Sequence, residues 1–165
     1  MTEPAVQPSK PVNLGLGYTW EDLRCGDRFR TLRRTVTETD LVSFISATGM
    51  LEAIFIDAGF DGAIAGRAVP GALTVSLIEG MQFQTLIQRT GLAMLEMSMT
   101  AHAPVVVGDT ISGLIEIVEV KPTSKRNRGI ITSFVEISNQ RGEKVMTYTV
   151  KRLVAGKAEL ELHAA

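Results

Sequence analysis

Proton chemistry needs a side chain that holds and releases a proton, and the chain concentrates such groups in few places. One is the stretch Ser46-Ala47-Thr48-Gly49-Met50-Leu51-Glu52-Ala53-Ile54-Phe55-Ile56-Asp57, where Glu52 and Asp57 are the carboxylates. A glycine where a helix runs out lets the backbone turn and present the following side chains outward. A second is Glu79, the one ionisable residue in a long apolar run before Arg89. Apolar surroundings raise a carboxyl pKa and give it the profile of a proton-transfer group, whereas a salt bridge to a basic residue would make Glu79 structural. Both readings stay open on the sequence. His102 falls near the end of a predicted strand, where a satisfied hydrogen bond is the simpler role, and His163 lies in a C-terminal tail. One cysteine and two distant histidines provide no metal-ligand spacing.

The elements that position these groups follow from periodicity. Tyr18 to Gly26 reads as an extended lead-in, and Arg28 to Val36 alternates as a strand. Thr37-Glu38-Thr39-Asp40 resembles a capping box with aspartate in place of glutamate, and it opens a helix of about ten residues that ends at Gly49. Residues 54–69 hold Gly59, Gly62 and Gly66 and predict a loop or a broken helix. Pro70-Gly71-Ala72 launches the longest helical pattern, apolar nearly all round and closed by Gly91, which marks a buried helix. Strands are then expected over residues 93–102, 110–120, 129–139 and 144–154, the last two joined by the turn Gln140-Arg141-Gly142-Glu143. One buried helix followed by an antiparallel meander is an α+β arrangement with the sheet wrapped around the helix.

At 165 residues the chain makes one domain with a core large enough to fold unaided. Residues 1–17 are proline-rich and read as a flexible arm, residues 18–155 as the domain and 156–165 as a tail. Seventeen basic against 18 acidic residues, without a long like-charge block, give no electrostatic support for a nucleic-acid or membrane-surface role. The single Cys25 excludes an intrachain disulfide and fits a reducing compartment. No run of about 18 apolar residues is present, so the expectation is a soluble cytoplasmic protein. Lys121, Lys125, Arg126 and Arg128 form a basic linker that suits either the phosphates of a ligand or a solvated turn.

Four segments in order resemble the MaoC-like dehydratases and (R)-specific enoyl-CoA hydratases. Leu23-Arg24-Cys25-Gly26-Asp27-Arg28-Phe29 is similar to the family's entry segment, and residues 34–41 to its first strand-to-helix junction. Val69-Pro70-Gly71-Ala72-Leu73-Thr74 stands where the family has V-x-H-G-M-L. Pro104-Val105-Val106-Val107-Gly108-Asp109-Thr110 resembles the P-V-x-x-G-D-T turn. The Gly49 stretch resembles the family's active-site loop, close to S-G-D-x-N-P-x-H-x-D, with Met50 at the aspartate position, Phe55 at the histidine position and Asp57 at the closing aspartate.

The resemblance implies the hotdog fold, a curled antiparallel sheet around one central helix. It also implies an acyl-CoA or acyl-carrier thioester ligand, no cofactor, and a homodimer or higher oligomer, with hetero-oligomers of two hotdog proteins as a variant. In the family the aspartate and histidine activate water, while backbone N–H groups at the central helix's start hold the thioester oxygen. Gly71 and Ala72 still offer such amides; Pro70 has no N–H. Met50 and Phe55 cannot move a proton, so ordinary hydration should be crippled. Residual proton chemistry would fall to Glu79 or Glu52, with Met50, Phe55, Gly71 and Ala72 lining the ligand and Lys125, Arg126 and Arg128 near its phosphates. A drifted enzyme, a thioesterase and a non-catalytic subunit all fit.

Overall fold

The computed structural model describes residues 14–57, 59–60, 62, 64–124 and 127–162. Helix α1 spans Glu38–Thr48 and starts as the sequence predicts. Thr37 accepts from the Asp40 N–H at 3.2 Å, and Asp40 returns the bond by accepting from the Thr37 N–H at 2.9 Å. Gly49, at φ 72°, closes it in the left-handed region that glycine tolerates. Leu41 and Ile45, one turn apart, face the core. A single turn, α2, spans Ala53–Ile56 within the glycine-rich region.

The central helix α3 spans Gly71–Phe83 and stops well short of Gly91. Beyond it the chain turns, with the Thr85 and Ile87 N–H groups both bonding the Gln82 carbonyl, at 3.1 and 3.0 Å. The Gly17 and Tyr18 N–H groups of the lead-in segment bond the carbonyls of Gln88 and Leu86, at 2.9 and 2.8 Å. Nor is α3 buried all round. Leu73, Leu77, Ile78, Glu79 and Gln82 are buried, while Ser76 and Phe83 stand exposed on another face.

Among the described residues six strands form the sheet. β1 (Arg28–Arg30) and β2 (Arg34–Thr35) both pair with β4 (Thr110–Pro122), followed by β5 (Arg128–Ser138), β6 (Lys144–Ala155) and, at the far edge, β3 (Gly91–Ala101). The strand predicted over residues 28–36 is split because Arg30 faces Leu114 whereas Arg34 faces Ile111. That is four steps on one strand against three on its partner, the signature of a bulge. The order is not a plain meander: β3 crosses over to pair with β6, with Met97 opposite Val150.

On β6 the even-numbered residues from Met146 to Val154 face inward, and α3 presses against this concave surface. A Cβ on Gly113 would lie 2.8 Å from Ile78 Cγ2, so only glycine admits the helix there. The short helix α4 (Lys157–Leu162) follows β6. Among the described residues no helix is long and apolar enough to cross a membrane. β3 pairs on one side only and exposes Leu92, Met94, Leu95 and Met99. The antiparallel sheet wrapped on one central helix is the hotdog fold that the sequence predicts.

Candidate functional site

Glu79 reaches the helix–sheet interface from the third turn of α3 and is 6% exposed. Its Oε1 accepts from the Tyr148 hydroxyl at 2.6 Å and from Gln82 Nε2 at 2.9 Å. The same Gln82 amide donates to Tyr148 Oη at 2.8 Å, and Arg152 Nη2 donates to Glu79 Oε2 to complete a buried ion pair. Tyr148 and Arg152 occupy alternate inward positions of β6, so strand geometry alone brings both to one carboxylate. Burial and the adjacent Glu79 charge push the Tyr148 phenol well above its ordinary pKa, which keeps it protonated as a donor. Glu79 thus makes a buried salt bridge to a basic residue, Arg152. Gln82, Tyr148 and Arg152 escape motif reading, but an arginine on the apolar parity of β6 is a legible signal for a buried partner.

Glu79 also borders a cavity of about 420 Å³ in the crease between α3 and β3, lined among others by Ala72, Ser76, Met94 and Met97. A neighbouring cavity of about 210 Å³ shares Phe83 and Met94 and reaches Arg152. Ala72 and Glu79 thus share one face of α3. The start of that helix supplies backbone N–H groups at Gly71, Ala72 and Leu73, since the first intrahelical bond runs from the Thr74 N–H to the Pro70 carbonyl. The helix dipole favours negative charge at this end.

The Gly49 loop is a separate feature. Met50 is 40% exposed, whereas Phe55 is half-buried against the core. Glu52 caps α2 with its backbone alone, and its side chain is exposed. Asp57 Oδ1 accepts from the Gly59 N–H at 2.8 Å. The loop is tied to the segment before α3 by Arg67, which the sequence gave no reason to single out. Its guanidinium pairs with Glu38 at 2.7 Å and donates to the Phe55 carbonyl at 3.0 Å. A small cavity of about 180 Å³ lies beside it, lined by Ile54, Asp57 and Phe60. Met50, Glu52 and Phe55 do not line the α3–β3 cavity that Glu79 and Ala72 share.

Of the basic linker, Lys125 and Arg126 lie outside the described residues. Arg128 forms a two-bond ion pair with Glu159 of α4, including Nε to Oε2 at 2.7 Å, and Lys121 pairs with Glu119 at 2.7 Å. His102 Nε2 shares a 2.8 Å hydrogen bond with Thr147 Oγ1 at the exposed strand end. Cys25 Sγ donates to the Val118 carbonyl at 3.2 Å. Among the described residues no three His, Cys, Asp or Glu side chains gather as a metal site.

The fold agrees with what the chain is similar to. The model of a FAS1-like dehydratase domain region matches residues 24–148. A solved structure of a monoamine oxidase regulatory protein from Archaeoglobus shares 28% identity over 84% of this chain and 94% of its own, with a TM-score of 0.75. A MaoC-like dehydratase from Rhodospirillum rubrum shares 23% over 86% and 99%, also with a TM-score of 0.75. A double-hotdog protein from Mycobacterium tuberculosis shares 17% over 88% of this chain and 46% of its own, with a TM-score of 0.78. Among proteins of curated function none matches by sequence. With a family match that spans the central helix, most of the sheet and the Gly49 loop, the chain belongs to the FAS1-like dehydratase-region family.

Proposed function

We propose that this chain binds an acyl-CoA or acyl-carrier thioester but does not itself perform 2-enoyl-thioester hydration, and that it serves as the non-catalytic protomer of a cytoplasmic hotdog dimer. The observation that carries this reading is the commitment of Glu79. Its two oxygens are held by Tyr148, Gln82 and Arg152, while the loop positions that bear the family's acid–base pair are Met50 and Phe55. The first-turn amides of α3 at Gly71 and Ala72 need no special side chain and remain suited to a thioester oxygen.

The exposed β3 edge supports the dimeric part of the proposal. An 11-residue edge strand with Leu92, Met94, Leu95 and Met99 exposed calls for a covering partner, and the adjacent α3 face carries exposed Ser76 and Phe83. A homodimer satisfies that need, and so does a second hotdog protein that carries the Asp/His pair.

The experiment is a panel of crotonyl-CoA and longer 2-enoyl-CoA thioesters, assayed for hydration and hydrolysis with the purified chain alone and with a dyad-bearing hotdog partner. The expected result is saturable binding and no turnover alone, with turnover in the mixed assembly. Hydration by the chain alone, abolished by Glu79→Gln or Glu52→Gln, would establish an independent enzyme instead. Hydrolysis alone would establish a thioesterase.

A further inference from the structure

The face of α3 that borders the crease with β3 runs from Ala72 through Ser76 and Gly80 to Phe83, and the helix rises roughly 16 Å over that stretch. The opposite wall is methionine. Met94, Met97 and Met99 of β3 pair with Arg152, Val150 and Tyr148 of β6, which all face inward, so the three thioethers share the concave side of the sheet. The cavities of about 420 and 210 Å³ share Phe83 and Met94 and so continue one another as a groove leading away from the start of the helix. Such walls suit a medium-length acyl chain, because methionine adapts its shape to an apolar guest.

Polar groups along this groove are few and mostly spent. Ser76 Oγ donates to the Ala72 carbonyl at 2.7 Å. The Glu79 oxygens are held by Tyr148, Gln82 and Arg152. Arg152 is different. It is 5% exposed and gives Nη2 to Glu79, yet its Nε and Nη1 have no hydrogen-bond partner among the described residues. Among those residues only Arg67 Nε and Thr90 Oγ1 are both unpartnered and sealed from solvent. The unused Arg152 donors therefore border open space, and the space that Arg152 lines is the smaller cavity. The side chains around it there, Phe83, Ile87 and Met94 among them, are apolar.

Three kinds of chain end would meet this guanidinium differently. A plain alkyl end strips water from the N–H groups and returns no acceptor, which costs free energy. A carboxylate end brings a second negative charge to an arginine that Glu79 already neutralises. A hydroxyl or keto oxygen accepts a hydrogen bond and adds no charge.

We propose, on the reading that a thioester oxygen sits at the first-turn amides of α3, that the groove selects acyl chains with a neutral oxygen near their far end, and that Arg152 selects them. The ligand class is thus a hydroxylated or keto-bearing medium-chain acyl thioester rather than a plain fatty-acyl thioester.

The test is calorimetric titration of the full chain, below micellar concentrations, with dodecanoyl-CoA, 12-hydroxydodecanoyl-CoA, 3-hydroxydodecanoyl-CoA and dodecanedioyl-CoA. The expected result is that the 12-hydroxy thioester binds about tenfold tighter than the other three, the size of one hydrogen bond to a charged group. Glu79→Leu combined with Arg152→Leu removes the selecting group without stranding a charge and should erase that preference. Met94→Trp blocks the junction of the two cavities from a half-exposed position and should erase it as well, with the melting temperature preserved. Equal affinities for 12-hydroxydodecanoyl-CoA and dodecanoyl-CoA in the wild type would overturn the role of Arg152 and leave the thioester reading standing. No saturable binding of any of the four would overturn both. An equal gain from the 3-hydroxy group, tightest binding of dodecanedioyl-CoA, or a preference unchanged in the folded variants would also overturn the proposal.

Discussion

The Tyr148 hydroxyl donates to Glu79 Oε1 at 2.6 Å and so fastens the central helix to the strand that faces it. The bond sits inside a closed set, because Gln82 bonds both residues and Arg152 holds the second carboxylate oxygen. A buried carboxylate without partners would be strongly unfavourable; with three donors it becomes a fixed point between α3 and β6.

Removal of one member should therefore cost more than removal of the ion pair. Arg152→Leu leaves Glu79 buried with an uncompensated charge and should destabilise by about 3–5 kcal/mol. Glu79→Leu combined with Arg152→Leu should recover most of that loss, because Tyr148 and Gln82 still bond each other at 2.8 Å. Urea unfolding of the two variants gives the comparison. A double variant as unstable as Arg152→Leu alone would mean that packing, not charge compensation, dominates at this position.

On the proposed reading of Met50 and Phe55, Met50→Asp with Phe55→His should raise crotonyl-CoA hydration by about 10²–10⁴-fold, the usual contribution of a positioned acid–base pair. Phe55 packs against the core, so a melting curve must accompany the assay. A folded double variant that binds crotonyl-CoA and remains inert would show that the loop no longer addresses the ligand.

The capping box at Thr37, the glycine stop at Gly49 and the strand alternation were legible because each is a local rule that tertiary packing leaves intact. The early end of α3 was not. There the Thr85 and Ile87 N–H groups turn back onto the Gln82 carbonyl, and the segment beyond is held by Gly17 and Tyr18, more than 60 residues away. The split of the first strand likewise depends on its register against β4. At the candidate site, Glu79 stood out as a lone charge on an apolar helix, but its donors come from β6 and only the fold brings them together. Arg67 was silent because nothing local distinguishes an arginine that ties Glu38 to the Phe55 carbonyl.

Asp22 supplies a pH signature. Hydrogen bonds from Lys157 and Thr19 hold its carboxyl at about 2, below its ordinary value of 3.8. A depressed folded-state value means that the contribution is present above about pH 4 and is lost as the pH falls toward 2. Asp22 and Lys157 join the lead-in to α4, and Trp20 lies two residues away. Trp20 fluorescence should thus report loosening across that interval, and Asp22→Asn should remove this part of the acid response. Asp40 and Asp109 are also lowered, so the difference between wild type and variant isolates Asp22. Superimposable acid titrations of the two proteins would show that the Lys157 contact contributes nothing.

Trp20 also lies directly over Gly129. A Cβ built on Gly129 would lie 2.5 Å from Trp20 Cγ and 2.6 Å from its Cβ, far inside contact distance. The conflict is with the body of the side chain rather than a flexible tip, so Gly129→Ala must displace the indole. The indole is anchored at the other end, where its Nε1 donates to the Asn127 carbonyl at 3.2 Å. Overpacking of this kind typically costs about 1–3 kcal/mol, and the fluorescence should shift toward that of a solvated tryptophan. Trp20→Ala removes the obstacle, so the two substitutions together should cost clearly less than the sum of their separate effects. Strict additivity in a double-mutant cycle would mean that the strand yields at Gly129 and the lead-in segment does not depend on Trp20 for its position.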